Sequence, residues 1–269
     1  MNNFDKLSVV IRYEFLKHIR RARLYIVLGI ALLAQALVLI LVPTLLTEGY
    51  PDDVNFMAMM LTSGASLAAL GAVFFAGDAI AGEYEQKTGF LLFTNPIKRE
   101  TLWVGKYIAG FLAVAILMVF TYIIVAVSLL AIYQEVPVAI FKSFGMALYY
   151  AAAVLSTTFL FSAISKGSMG ATIMSLLFLW VICGIIQGVL SATGNPYWFI
   201  LSAGGDATAT AYGSLQNIID QFGGIGGGMG GGIFNMKVPT LGMVAWGETI
   251  YFVGGFIGSI ILARRRQLA

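Results

Sequence analysis

Long apolar runs alternate with short polar segments along this chain, and that alternation predicts its elements. A transmembrane helix needs about 20 apolar residues to cross a hydrocarbon core of roughly 30 Å. Six runs reach this length, and they predict spans over about 24–46, 54–76, 107–133, 142–164, 169–190 and 241–263. We therefore expect an all-α membrane protein with six transmembrane helices.

Composition supports the membrane class and excludes several kinds of site. Of the 269 residues, 59% are hydrophobic and 11% are charged, against roughly 25% charged residues in soluble domains. The single cysteine, Cys183, lies in an apolar run, so we expect no disulfide framework and no thiol metal site within one chain. The single histidine, His18, stands among basic residues, and we expect it to be solvated. No metal site is predicted.

The first 23 residues combine an apolar stripe with a basic border. The stripe recurs at three- and four-residue spacing and consists of Phe4, Leu7, Ile11, Phe15 and Ile19. Such a pattern is typical of a helix that lies in the cytoplasmic interface of a membrane. We expect residues 1–23 to form this amphipathic helix and residues 24–269 to form the six-span domain. The first apolar run is too long for a secretory signal, so no cleavage is expected.

Basic residues are distributed unevenly between the two predicted membrane faces. Fourteen of the 16 Lys and Arg residues lie in the segments that six spans place on the side of the termini. Only Lys142 and Lys237 lie on the other side. Cytoplasmic loops carry the excess of Lys and Arg, so we expect both termini and the loop 77–106 to be cytoplasmic, in a protein of the cell membrane.

The loop 77–106 is the most charged segment between two apolar runs. We expect Asp78–Glu85 to continue the second helix beyond the headgroups, with its carboxylates in water. Asn95-Pro96 is typical of a helix start, and it predicts a short helix Pro96–Trp103 parallel to the membrane, before a tight turn at Gly105-Lys106. Such a helix suits docking to a soluble partner, and it also suits an ordinary interfacial connector; the residues alone leave both hypotheses open.

A set of positions in this loop carries a family resemblance. They are Asp78, Glu83, Glu85, Thr88, Leu91, Leu92, Pro96, Arg99, Gly105 and Lys106. With the basic N-terminal helix, the six-span order and a terminal Arg cluster, this pattern closely resembles that of ABC-2-type transporter permeases. Within that family it looks most like the single-domain permeases found beside nitrous-oxide reductase maturation genes.

The resemblance implies partners and a mechanism. Two permease chains, identical or different, would form a dimer in the bilayer and bind two cytoplasmic ATPase subunits, which would hold ATP and Mg²⁺. The helix 96–103 would be the coupling helix that seats in a cleft of the ATPase. Its contacts would come from Pro96, Ile97, Lys98, Arg99, Glu100 and Trp103. ATP binding would then switch the bundle between two packings, and no nucleic acid is expected as a partner.

The chain itself lacks a recognisable nucleotide site. A phosphate-binding loop requires Gly-x-x-x-x-Gly-Lys-Ser/Thr after a strand. The glycine run Gly223–Gly232 has no Lys-Ser/Thr after it and lies on the predicted outer side, where we expect a tether or closely packed backbone. We therefore expect that this subunit is not an enzyme and that ATP is hydrolysed on another chain.

Polar residues inside the spans are candidates for a transport pathway. The densest cluster of hydroxyl side chains is Ser156, Thr157 and Thr158, although such hydroxyls more often bond carbonyls of their own helix. Glu248 is two turns deep if the last span begins at Leu241 and interfacial if it begins near Gly247; the interfacial position is favoured.

Other features of the spans predict packing between helices. Gln35 and Gln187 are expected to make interhelical hydrogen bonds, and the pairs Gly254–Gly258 and Gly255–Ser259 to allow close helix approach. In the outer segment 191–239, the pattern predicts a short amphipathic helix over about Ala207–Phe222, on the outer headgroups or capping the pathway.

Three functional hypotheses follow. The leading one is the permease subunit of an ATP-driven exporter, coupled to a separate ATPase. The alternative is a non-transporting membrane scaffold that uses the same ATPase motion for signalling or assembly. A passive channel is the third. The sequence does not identify a substrate.

Overall fold

The computed structural model describes residues 3–45, 49–62, 65–86, 98–213 and 239–265. Within these ranges the chain forms helices and no strand, which confirms the all-α prediction for the part described.

The helices, in chain order, account for most of these residues. They are α1 (Asn3–Arg20), α2 (Ala22–Leu45), α3 (Val54–Leu61), α4 (Ala65–Ala76), α5 (Ala81–Glu85), α6 (Arg99–Tyr133), α7 (Ala139–Ile164), α8 (Ser168–Leu176), α9 (Cys183–Ala192), α10 (Ala203–Thr210) and α11 (Leu241–Arg265). A π-helical turn, Leu177–Ile182, joins α8 to α9.

Five rods of the described structure are long and apolar enough to cross a membrane. They are α2, α6, α7, the continuous α8–α9 rod and α11, and they make this a multi-pass membrane protein. The predicted second span, 54–76, is not one helix. The helix α3 ends at Leu61, with Thr62 as its C-cap residue, and after the two residues outside the description α4 covers Ala65–Ala76. Hydropathy does not register such a break, because Thr62, Ser63 and Gly64 are compatible with an apolar run.

The central element is α7, the most buried of the five spanning rods, and α4, α6 and α11 pack around it. Small residues permit this close packing. A Cβ atom added at Gly255 of α11 would lie 2.8 Å from the carbonyl carbon of Ser156 and 3.0 Å from the backbone nitrogen of Thr157. Ser259, one turn further along α11, is also buried. The predicted close approach along Gly255 and Ser259 is therefore confirmed.

The α8–α9 rod is buried at every fourth residue. The buried positions are Ala171, Ser175, Leu179 and Cys183, and the π-helical turn lies in the middle of this row. π-helical turns inside α-helices are rare and recur at functional sites.

After α9 the chain folds back into the bundle. The segment from Tyr197 to Tyr212 buries many of its side chains, and its helix α10 packs against α7 and α11. The helix predicted over Ala207–Phe222 is therefore wrong at its start, and α10 ends at Thr210. The remaining residues of that prediction, 214–222, and the glycine run 223–232 lie outside the described residues.

Candidate functional site

The first turns of α6 lie against α1. A Cβ atom added at Gly105 would lie 2.6 Å from Cγ1 of Val10 and 3.5 Å from Cδ1 of Leu7, so the absence of a side chain lets the two helices touch. Gly105 and its neighbour Lys106 are interior residues of α6, which runs unbroken from Arg99 to Tyr133.

This continuity corrects the predicted turn. The expected tight turn at Gly105-Lys106 is absent, and the third span does not begin as a new helix at Tyr107. The part of the predicted helix 96–103 that is described, Lys98–Trp103, leads directly into the long helix. Pro96 and Ile97 lie outside the described residues. A glycine next to a lysine resembles a turn in sequence, but here the glycine serves helix packing.

Lys106 is a buried cation held by two carboxylates. Its side chain is 2% exposed, and its Nζ donates to Oε1 of Glu14 at 2.7 Å and to Oε1 of Glu83 at 2.7 Å. Lys17 Nζ lies 3.6 Å from Oε2 of Glu14 and 3.7 Å from Oε1 of Glu83. This cluster joins α1, α5 and α6, and neither carboxylate is left without a cation.

The turn 77–80 separates α4 from α5 and is held by Ser162 of α7. The backbone N–H groups of Ile80 and Ala81 donate to Oγ of Ser162 at 3.1 and 3.0 Å, and that hydroxyl donates to the carbonyl of Gly77 at 2.9 Å. The prediction that Asp78–Glu85 continues the second helix is therefore wrong. The helix stops at Ala76, and a hydroxyl from a distant helix supplies the partners for the turn.

The acidic side chains of this segment have specific partners. Asp78 pairs with Arg21 and with Nη1 of Arg23 at 3.1 Å. Glu85 accepts hydrogen bonds from the backbone N–H of Ser168 at 2.8 Å and from its hydroxyl at 2.6 Å. These bonds hold the pKa of the Glu85 carboxyl below its usual value. Only Glu85 is exposed, so the expected solvation of all three carboxylates is wrong for Glu83, which is buried.

His18 is buried in the same region, against the prediction of a solvated side chain. It is 6% exposed, and its ring centroid lies 5.3 Å from that of Phe75. Burial lowers the pKa of His18 to about 4, against the opposing effect of Asp78 and Glu14. The surrounding basic residues suggested water in the sequence, but α1 turns this one side chain toward α4.

The predicted partner contacts at the start of α6 differ in exposure. Lys98 and Arg99 are exposed. Glu100 pairs with Arg264 at the end of α11, and both side chains are about half exposed. Trp103 is 1% exposed, and its ring stacks on Tyr84 with centroids 6.4 Å apart. Trp103, which was expected to contact the ATPase, is therefore buried within this chain.

The structure brings most of the motif positions to one end of the bundle. The described members there are Asp78, Glu83, Glu85, Arg99, Gly105 and Lys106. Thr88, Leu91, Leu92 and Pro96 lie outside the described residues. At this end the chain can hold several helices as one charged, closely packed unit.

The cluster of hydroxyl side chains on α7 lies in the interior of the helix bundle. Ser156, Thr157 and Thr158 are all buried. Ser156 Oγ shares a 2.9 Å hydrogen bond with the hydroxyl of Tyr107, and Thr157 bonds its own helix at the carbonyl of Ala153, 2.9 Å away. These contacts place Ser156 and Thr157 between α6, α7 and α11.

Glu248 is buried two turns inside α11, which begins at Leu241. The side chain is 1% exposed, so the favoured interfacial position is wrong. The Glu248 side chain packs against Gly204 of α10. A Cβ atom at Gly204 would lie within 3 Å of the Glu248 carboxyl and of the Tyr150 ring, which explains why glycine stands there.

A second carboxyl inside the fold, that of the partly buried Asp206, was missed by the sequence reasoning. Its Oδ2 accepts from Nε2 of Gln187 at 2.6 Å and from the hydroxyl of Tyr197 at 3.2 Å. Burial raises the pKa of Asp206, against these hydrogen bonds. The signal available was a lone acid among small residues. The bond confirms the expected interhelical role of Gln187, and Gln35, whose Nε2 donates to the carbonyl of Thr121 at 3.2 Å, has the same role.

Among the described residues, no group of three His, Cys, Asp or Glu side chains could hold a metal ion. Chemically, the described chain therefore offers buried ion pairs, helix packing and two isolated carboxyls. This is a set suited to controlled movement and binding.

Residues 10–193 match a family model described as "ABC-2 family transporter protein". The matched range covers more than half of the chain and includes α2 to α9. A search of curated proteins found no match.

Proposed function

The chain belongs to the ABC-2 family of transporter proteins and is a membrane component of an ABC transporter, and we propose that it is the permease subunit of an exporter driven by a separate ATPase. In this proposal two permease chains and two cytoplasmic ATPase subunits form the working complex. The ATPase binds ATP and Mg²⁺, and this chain contributes the path through the bilayer.

The observation that carries the proposal is the length of α6. A helix of 35 residues measures about 52 Å at 1.5 Å per residue, whereas a bilayer core is about 30 Å thick. About 20 Å of one rigid helix therefore extends beyond the hydrocarbon. The exposed residues Lys98 and Arg99 lie at one end of this helix. A partner that displaces this end would therefore also displace the part of α6 inside the bilayer.

The contacts around the same end support transmission to the rest of the bundle. Lys106 ties α6 to α1 and α5, and the pair of Glu100 and Arg264 ties it to α11. Because packed helices move as rigid bodies between a few arrangements, a partner that moves Arg99 would displace α1, α5, α6 and α11 together. We therefore propose that the described part of the coupling contact is Lys98–Glu100, at the start of the long helix α6.

The distribution of basic residues supports the orientation. The pairs Arg21–Asp78 and Glu100–Arg264, and the Glu85–Ser168 bond, bring the segments richest in Lys and Arg to one end of the bundle. Positive residues favour the cytoplasmic face. We infer that this end is cytoplasmic and that the broken pair α3–α4 serves as the second of six crossings.

The first experiment asks whether an ATPase is bound. The native complex is extracted gently and its subunits are identified by mass spectrometry. We expect an ABC ATPase at a 1:1 ratio to this chain. Recovery of the intact permease without any ATPase would contradict the coupling proposal and would favour a passive channel.

The second experiment locates the contact and separates transport from scaffolding. In the reconstituted complex, Arg99→Glu is expected to abolish the effect of the permease on ATPase activity, and Glu135→Gln at the other end of α6 serves as the control. Inside-out vesicles are then compared after incubation with ATP or ADP, and their lumen is analysed by mass spectrometry. ATP-dependent accumulation that Arg99→Glu abolishes supports export; a coupled ATPase without accumulation supports a scaffold.

A further inference from the structure

The carboxyl of Glu248 differs from the other acids inside the described structure because it has no ion-pair partner and one of its oxygens has no hydrogen bond. Asp206 also lacks a cation, but its Oδ2 accepts two hydrogen bonds. Glu14 and Glu83 share the cation of Lys106, and Asp78 is paired with Arg21 and Arg23. No Lys or Arg forms an ion pair with Glu248 in the described chain. Its Oε2 is buried and has no hydrogen-bond partner.

An ordinary structural role does not account for this arrangement. Packing against Gly204 needs only a side chain of this shape, and a glutamine would supply it while avoiding a buried acid. A buried carboxyl oxygen without a partner is costly, and ionisable residues within membrane spans commonly mark a substrate or ion path. The second oxygen therefore indicates a ligand.

The surroundings define the chemistry of that ligand. Tyr150 is buried, and its ring and the Glu248 carboxyl both lie within 3 Å of the point where a Cβ atom of Gly204 would stand. A carboxyl beside a phenol ring, with no Lys or Arg paired to the acid in the described structure, favours a cation over an anion, because carboxylates attract a positive charge and aromatic faces stabilise it.

We propose that Glu248 binds a primary ammonium group of the transported molecule as that molecule crosses the bundle. The substrate class is then an amine that is positively charged in water. The statement that this amine is transported rests on the proposed function. The binding step itself needs neither ATP nor an ATPase.

The test measures binding to the full chain in lipid nanodiscs, without an ATPase. The probe is dansylcadaverine, a fluorescent primary amine, and its neutral comparison is the N-acetylated form of the same molecule. After subtraction of empty nanodiscs, we expect the amine to bind and the acetylated form to bind at least about tenfold more weakly. Glu248→Gln should weaken amine binding by about tenfold to a hundredfold. Glu135→Gln, an exposed acid at the end of α6, should leave it unchanged.

A second measurement avoids any variant. A hydrophobic carbodiimide, which reacts with carboxylic acids in apolar surroundings, is applied to the wild-type chain, and modification of Glu248 is read by mass spectrometry. Because a primary amine would itself couple to the activated carboxyl, the competitor here is the N,N-dimethyl form of dansylcadaverine, which keeps its positive charge and forms no amide. We expect this form to reduce the modification and the acetylated form to leave it unchanged. Equal protection by both probes, or no reaction at Glu248 under any condition, would overturn the proposal.

The outcomes separate this inference from the proposed function. Loss of charge-dependent binding with an intact response of the ATPase to Arg99→Glu would remove the ammonium site and keep the coupled permease. Charge-dependent binding in a chain that recruits no ATPase would keep the site and remove the ATP-driven mechanism.

Discussion

Lys106 and Glu14 are 92 residues apart in sequence, yet Nζ of Lys106 lies 2.7 Å from Oε1 of Glu14. The same nitrogen lies 2.7 Å from Oε1 of Glu83. The N-terminal helix is therefore attached to the long helix α6 by charge as well as by the contact of Val10 with Gly105.

Removal of this cation should be strongly destabilising. Lys106→Met leaves Glu14 and Glu83 largely buried and without their main partner, and such uncompensated charges cost about 3–5 kcal/mol. We expect that loss in the free energy of unfolding, measured by denaturant titration in detergent micelles.

Two controls distinguish charge from packing in that experiment. The triple variant Lys106→Met/Glu14→Gln/Glu83→Gln should regain much of the loss, because no buried charge remains. Glu100→Gln, which breaks a half-exposed pair with Arg264, should cost less than about 1 kcal/mol. A similar small loss for Lys106→Met would show that the buried pair contributes little.

Adjacent glycines of α11 should respond differently to an added methyl group. Gly255→Ala forces a Cβ atom into the backbone of Ser156 and Thr157, and such overpacking costs about 1–3 kcal/mol. At Gly254 a Cβ atom meets nothing within 4 Å, so Gly254→Ala should leave thermal stability unchanged or raise it slightly. Thermal melting of the two variants in the same detergent tests this difference. Equal melting temperatures would contradict the close approach of α7 and α11.

The stability of the chain should fall in mild acid because of His18. Its pKa is about 4 in the folded chain and 6.5 ordinarily, so the unfolded state binds more protons between these values. Stability therefore rises with pH across pH 4 to 6.5 and is lost as pH falls through that range. His18→Gln should flatten this part of the profile of unfolding free energy against pH. An unchanged slope in the variant would show that His18 is not kept neutral by burial.

Labelling of single cysteines should establish the orientation of α6. Cys183 is buried, and Cys183→Ala provides a background without cysteine. In that background, Lys98→Cys and Glu135→Cys place one thiol at each end of α6. We expect a membrane-impermeant maleimide to label Glu135→Cys in intact cells and Lys98→Cys only after permeabilisation. The reverse pattern would contradict the proposed cytoplasmic site.

The sequence predicted what depends on local pattern. Apolar runs located α2, α7, the α8–α9 rod and α11 to within a few residues, since each needs only length and hydropathy. The continuity of α6 through Gly105 could not be predicted in this way, because the reason for the glycine is Val10, a residue on another helix.

Charged and polar residues were predicted less well for the same reason. A histidine or an acid in a charged segment suggests water, and the burial of His18, Glu83 and Glu248 depends on helices that are distant in sequence. The break between α3 and α4 and the folding of α10 into the bundle are likewise tertiary effects. In the sequence, only the small residues around these two segments indicated that the helices would be interrupted or closely packed there.

The π-helical turn at Leu177–Ile182 sets the direction in which the end of its span faces. In a regular α-helix each residue turns the helix by about 100°, so a row of every fourth residue drifts sideways by about 40° at each step. The wider π turn holds about one residue more than the α-helical turn it replaces, and this offsets the drift. Deletion of one residue within the turn would therefore restore ordinary winding and leave Cys183–Ala192 facing nearly the same way. The same deletion between Cys183 and Gln187 would rotate Gln187 by about 100°, away from Asp206. Homologous chains should therefore tolerate a single-residue deletion within Leu177–Ile182 but not between Cys183 and Gln187.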